Sequence, residues 1–221
     1  PKFLLLSGFS LVSRYPLPLF CCIVPVLSWP FSTEGSQIHQ TYYTQAPEFE
    51  GDSVKQAPTI KEIHGFQYYT GAHPEVRNAF KGGHRPKEFG NKVWATSLVL
   101  LDYLQKKPLN LDGLRVLEIG CGWGLLGAYL AKVHGCRVTC TDIDDNVLPV
   151  VQLHARLNDV NIQTKQAGFD GLDLHFLKNF DLIIGAEVCY SDEVASEVAD
   201  LIKRALEAEV PYILIADPGR P

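Results

Sequence analysis

The chain contains no methionine, not even at position 1, and reads as a piece of a longer protein, open at both ends. Positive charge is not in excess: 20 Lys and Arg stand against 25 Asp and Glu, a net charge of −5. This balance excludes a general electrostatic pull toward nucleic acid or anionic membrane, local basic patches aside, and leaves a small molecule or a protein as the expected partner. The six cysteines include no paired C-x-x-C spacing, which excludes a structural zinc site and predicts a reduced, metal-free, cytoplasmic protein. Cys136 and Cys140 flank the start of a predicted strand and read as small core residues.

An unbroken apolar helix is also missing. Residues 1–33 are apolar, but Pro16, Pro18, Pro25 and Pro30 interrupt them well short of the ~20 residues that a membrane span needs. This leader, read as a targeting segment or as poorly structured sequence, is expected to lie outside the fold. Residues 34–60 read as a linker of Gly, Ser, Thr, Gln and Pro, and 61–221 as one domain, incomplete at its C-terminal end.

Within that domain "IHGFQYYTG" (63–71) reads as a strand. The basic "KGGHRPKEFGNK" (81–92) reads as a solvated loop, with a substrate-binding loop as the alternative. Trp94, Leu98, Leu101 and Leu104 recur at helical spacing up to Pro108. Regular alternation follows: strands over 115–120, 137–142, 161–166, 181–187 and 212–217, and helices over 125–134, 146–158 and 192–208. The predicted class is α/β, a Rossmann-like doubly wound, mostly parallel sheet truncated after its fifth strand. The last strand, "YILIAD", would then be an exposed apolar edge.

The first strand-to-helix turn, "VLEIGCGWGLLG" (116–127), points to the chemistry. A dinucleotide site needs a third small residue where Leu125 stands, and a P-loop needs a Lys-Ser/Thr pair that does not follow. Gly120, Gly122 and Gly124 permit close backbone approach, while Glu118 ahead of them would repel a diphosphate and favour a cationic ligand. S-adenosylmethionine, with a sulfonium and an ammonium and no phosphate, has that character. Asp142, at the end of the second strand of the alternating series, is placed to accept hydrogen bonds from ribose hydroxyls. Asp144 and Asp145 read as caps of the next helix. Trp123 either packs on the cofactor or covers the helix start.

These stretches, together with "TDID" and "FDLIIGAEVCY", resemble the first, second and fourth motifs of the class I, seven-β-strand S-adenosylmethionine-dependent methyltransferases. "GNKVWATSLVLLDYL" resembles the segment ahead of the first motif in the protein-lysine methyltransferase branch. That likeness assigns Trp94 to the cofactor pocket. The D/E-x-x-Y/F pattern of the same branch falls on Glu187 and Tyr190, and "ADPGRP" resembles the corresponding strand end in the electron-transfer-flavoprotein β-subunit lysine methyltransferases and their bacterial relatives.

The resemblance implies methyl transfer to a lysine amine of a protein substrate. Glu187 would orient the amine and Tyr190 would wall its channel. Asp170 is the candidate to accept from the adenine amino group, with Phe169 against the ring, and turn chemistry in "FDGLD" is the alternative account of both. A small-molecule N- or O-methyltransferase and a non-catalytic cofactor-binding module remain the alternatives, and oligomeric state is not legible.

Overall fold

The computed structural model describes residues 20–25 (as backbone), 59–81, 84–87, 89–107 and 109–218. The leader up to residue 19 and nearly all of the expected linker lie outside the described residues.

The first strand of the alternating series, β4 (Arg115–Glu118), sits centrally in a six-stranded sheet. On one side lie β5 (Arg137–Asp142) and then β6 (Ile162–Gln166), and on the other β7 (Leu182–Ala186) and then β8 (Tyr212–Asp217), and these five strands run parallel to one another. Chain direction across the sheet therefore reverses between β4 and β7, which opens a crevice at the carboxyl ends of the strands.

Both faces are covered, and this explains why the central strands read as continuous apolar runs rather than alternating ones. Val116, Val138, Ile184 and Leu214 face α2 (Ala95–Lys106), α3 (Leu125–His134) and α4 (Leu148–Leu157). Leu117, Ile183, Ile213 and Ile215 share the opposite core with α5 (Leu174–Leu177) and α6 (Asp192–Glu207). Cys136 and Cys140 are buried. Asp144 caps the 3-10 turn ahead of α4 by accepting from the Asn146 amide, whereas Asp145 is the first residue of that turn and not its cap.

Two expectations are corrected. "IHGFQYYTG" is not one strand but part of a hairpin, β2 (Ile60–Ile63) paired antiparallel with β3 (Phe66–Tyr69). The chain reverses at His64 and Gly65, with φ of 50° and 76°; two consecutive left-handed residues match the twist of a tight hairpin.

The second correction concerns the leader. Phe20–Pro25 forms β1, antiparallel to β8, with Phe20 opposite Asp217 and Pro25 opposite Tyr212. This part of the apolar segment is in the sheet, and β8 is not an open edge. The prolines forbid a long helix, but a six-residue edge strand ending at Pro25 tolerates them and pairs with the N–H and C=O groups that β8 would otherwise leave bare. The short helix α1 (Pro74–Ala79) follows the hairpin.

Candidate active site

The turn from β4 into α3 holds Gly120, Gly122 and Gly124 at φ of 52°, 49° and 68°, a region that other residues enter at a cost of roughly 1–2 kcal/mol. The reasons for the glycines differ. A Cβ on Gly120 would stand 2.8 Å from Val188 Cγ1, and one on Gly124 would stand 2.7 Å from Val151 Cγ1, whereas one on Gly122 would meet nothing within 4 Å. Gly120 and Gly124 are thus demanded by packing, and Gly122 borders open space at the crevice.

Asp142 locks this turn. Its Oδ2 accepts from the Gly122 amide at 2.8 Å and its Oδ1 from the Asp144 amide at 3.0 Å. Burial raises its pKa, and the amides of Asp144 and Gly122 oppose that rise. Beside it, Ile143 is 62% exposed, an aliphatic side chain left open next to the carboxylate expected to take a ribose. Phe169 lies close by, its Cζ 3.5 Å from where a Gly120 Cβ would be. Asp170 is exposed in the same loop. Ile143 and Asp170 meet at Gly168, where an added Cβ would stand 3.4 Å from Ile143 Cδ1 and 2.9 Å from Asp170 Oδ1. Sequence reasoning singled out Asp142, Phe169 and Asp170 but missed Ile143; an aliphatic residue directly after the strand-terminal acid was the available signal.

Glu118 stands behind the turn rather than open to the crevice. It is 3% exposed, and its Oε2 accepts from the Gly127 amide at 2.8 Å and from Cys140 Sγ at 3.2 Å. Burial pushes its carboxyl up to about 7, while hydrogen bonds from Cys140, Gly127 and Leu126 resist the rise and the charge of Asp142 adds to it. The folded state therefore holds this proton more tightly than the unfolded chain. The resulting stabilisation is complete below the ordinary value of 4.5 and is lost as pH rises through about 7. Relative to a Glu118→Gln variant, the parent protein should lose about 3 kcal/mol of unfolding free energy across that interval. Urea titrations at several pH values measure this, and a difference independent of pH would show the carboxyl to be ordinary.

Trp123 does not face the crevice. It is buried between Phe80 and His154, with ring centroids 6.1 Å from each, and donates to Gly90 O at 2.8 Å. Of the two readings of this residue, the one facing the cofactor is set aside.

Across the crevice, Glu187 directly follows β7 at φ 56°, an uncommon conformation for a non-glycine residue and one that clusters at functional sites. Its amide still bonds Ala216 O at 2.8 Å, and its Oε1 accepts from Thr96 Oγ1 on α2 at 2.8 Å. Asp217, at the end of β8, accepts from the Cys189 amide at 3.1 Å and so holds the Glu187–Tyr190 segment.

Tyr190 packs against Phe89, with centroids 4.8 Å apart, and Phe89 against Trp94 at 6.1 Å. Trp94 precedes α2, donates to Phe89 O at 2.9 Å, and carries Lys92 Nζ 4.0 Å from its ring centroid. An aromatic wall thus adjoins a positioned carboxylate, an arrangement suited to a cationic side chain. The roles of Thr96, Asp217 and Phe89 were not legible, because the Thr96–Glu187, Asp217–Cys189 and Phe89–Tyr190 contacts join residues far apart in sequence. Among the described residues no His, Cys, Asp and Glu group could hold a metal ion, and no helix is long and apolar enough to cross a membrane.

The sequence profile of a family described as lysine methyltransferase matches residues 82–220. The chain belongs to this lysine methyltransferase family. It is 35% identical over 107 residues to EEF1A lysine methyltransferase 3 of Mus musculus, covering 45% of this chain and 43% of that protein. Over 131 residues it is 33% identical to protein N-lysine methyltransferase METTL21A of Danio rerio, covering 55% of this chain and 58% of that one. A histidine protein methyltransferase 1 homolog of Dictyostelium discoideum is 32% identical over 126 residues, covering 55% and 40% respectively. The chain thus spans about half the length of these curated relatives. Among solved structures, the Pyrococcus abyssi tRNA (uracil-54, C5)-methyltransferase shares the fold, with a TM-score of 0.50 at 18% identity over 72% of this chain and 34% of that one.

Proposed function

We propose that this lysine methyltransferase family member binds S-adenosylmethionine at the glycine turn and transfers its methyl group to a lysine side chain of a protein. The observation that carries the reading is the pairing of two features across one crevice. Gly122 leaves room at the turn, and Glu187 is held in a left-handed conformation and bonded to Thr96.

The residues fit such a cofactor. Gly120 and Gly122 would admit it against the backbone, and Asp142 would take the ribose hydroxyls. Ile143 and Phe169 would flank the adenine, with Asp170 within the same loop, and Trp94 would border the reacting end. Glu118 would brace the turn from behind, accepting from the Gly127 amide and Cys140. When bound, the cofactor supplies an electrophilic methyl group on a sulfonium.

This chain's own residues serve the amine. At pH 7 a lysine of ordinary pKa, ~10.4, is protonated, and removing the proton costs roughly 4–5 kcal/mol. The Phe89–Trp94–Tyr190 wall lowers that cost by desolvation, and Glu187 aligns the amine and stabilises the charge that develops on it. A carboxylate fixed by Thr96 is a positioning group rather than a strong base.

Calorimetry tests the cofactor half of the reading. The parent protein should bind S-adenosylmethionine and ignore NAD. Gly122→Ala, whose methyl group meets no protein atom within 4 Å but whose left-handed backbone costs roughly 1–2 kcal/mol of stability, should weaken binding about 10-fold or more without unfolding the domain. Capture of NAD in preference to the sulfonium compound would overturn the assignment.

A further inference from the structure

The stretch 77–92 carries Arg77, Lys81, Arg85, Lys87 and Lys92 against a single acid, in a chain whose net charge is −5. Three of these cations, Arg77, Lys81 and Arg85, line one cavity of about 620 Å³ together with Gly71, Val76, Phe80 and Asn91. Among the described residues none of the three is in an ion pair. The cavity includes no residue of the glycine turn, nor Asp142, Phe169 or Glu187.

Its wall nevertheless leads to the site. Asn91 follows Gly90, whose carbonyl is bonded by Trp123, and Phe89, whose ring packs on Tyr190. The loop is also pinned from below, where Asp144 accepts from the Lys87 amide. Beside the acceptor wall the cleft therefore gathers three cations that, among the described residues, are in no ion pair, with Val76 and Phe80 as its apolar lining.

We infer that this cleft docks an acidic segment of the protein whose lysine is methylated, an inference that rests on the methyltransferase reading above. Exposed cations with no internal partner gain most from an incoming carboxylate, and opposite charge on the two surfaces speeds encounter and sets register. A short peptide suits the shape better than a nucleic acid does. Three cations in one pocket do not track a phosphate backbone, and the negative charge of the remaining chain repels a long polyanion.

Fluorescence anisotropy with three labelled probes tests this: a lysine peptide flanked by glutamates, the same peptide flanked by serines, and a single-stranded RNA. The glutamate peptide should bind about 10-fold more tightly than the serine peptide and lose that advantage in high salt. Arg77→Glu combined with Arg85→Glu should abolish the preference and leave S-adenosylmethionine affinity, read by calorimetry, unchanged. Equal binding of the two peptides, or a preference that survives the double substitution, overturns the inference. Tighter binding of the RNA overturns it in favour of a nucleic-acid surface. Loss of cofactor affinity in the double variant would place these cations in the cofactor site instead. Failure of the parent protein to bind S-adenosylmethionine strikes the methyltransferase reading and not the docking preference.

Discussion

Glu187→Gln is expected to lower methyl transfer about 100-fold or more while leaving S-adenosylmethionine affinity within about twofold of the parent. The substitution keeps the shape of the side chain and an oxygen for Thr96 Oγ1, now 2.8 Å from Oε1, so the end of β7 should hold its conformation. What disappears is the negative charge opposite the amine. A group that acts on the acceptor changes turnover, whereas a group that only supports the strand end would change stability. Single-turnover transfer of labelled methyl, read beside calorimetric cofactor binding and the urea midpoint, separates the two. Unchanged turnover would remove Glu187 from the mechanism, and lost cofactor affinity would relocate it. Thr96→Val should show the same pattern more weakly, since it removes one hydrogen bond to the carboxylate while leaving its charge.

His154→Ala should cost about 4 kcal/mol of unfolding free energy. The imidazole is fully buried, with Nδ1 3.0 Å from Trp123 O and Nε2 3.0 Å from the Tyr69 amide. Those partners define the tautomer: Nδ1–H donates to the carbonyl and Nε2 accepts from the amide. Truncation leaves both backbone groups without partners and opens a cavity beside Trp123. Burial depresses the pKa of His154 to about 4, against the hydrogen bond that its Nδ1–H donates to the Trp123 carbonyl. The folded pKa lies below the ordinary 6.5, so its contribution is present above 6.5 and is lost as pH falls toward 4. The effect of the substitution should therefore shrink by about 3 kcal/mol in acid. Denaturant titrations at pH 7.5 and pH 4.5 would measure this, and a cost below about 1 kcal/mol at the higher pH would rule out the clamp.

The clamp also bears on function. Trp123 belongs to the glycine turn, and Tyr69 ends the hairpin. One turn further along α4, Asn158 grips the same hairpin, donating to Gln67 O at 2.8 Å and accepting from the Gln67 amide at 3.0 Å. His154 and Asn158 thus fasten the hairpin and the cofactor turn to one helix, so a loosened clamp should weaken cofactor binding as well as stability.

Five parallel strands and the longer helices between them were legible in the sequence, and so was the glycine turn as a candidate site. Strands buried on both faces and helices with one apolar stripe leave periodic marks within a dozen residues, and three alternating glycines beside Glu118 and Asp142 are local features as well. Only the tertiary structure decided what lies between distant segments. Thr96 and Glu187 are 91 residues apart, Tyr69 and His154 are 85 apart, and β1 pairs with a strand near the far end of the chain. It also turned Trp123 into the core and set Glu118 behind the glycines. Such contacts arise when buried polar groups and bare strand edges must find partners, and that requirement fixes no sequence spacing.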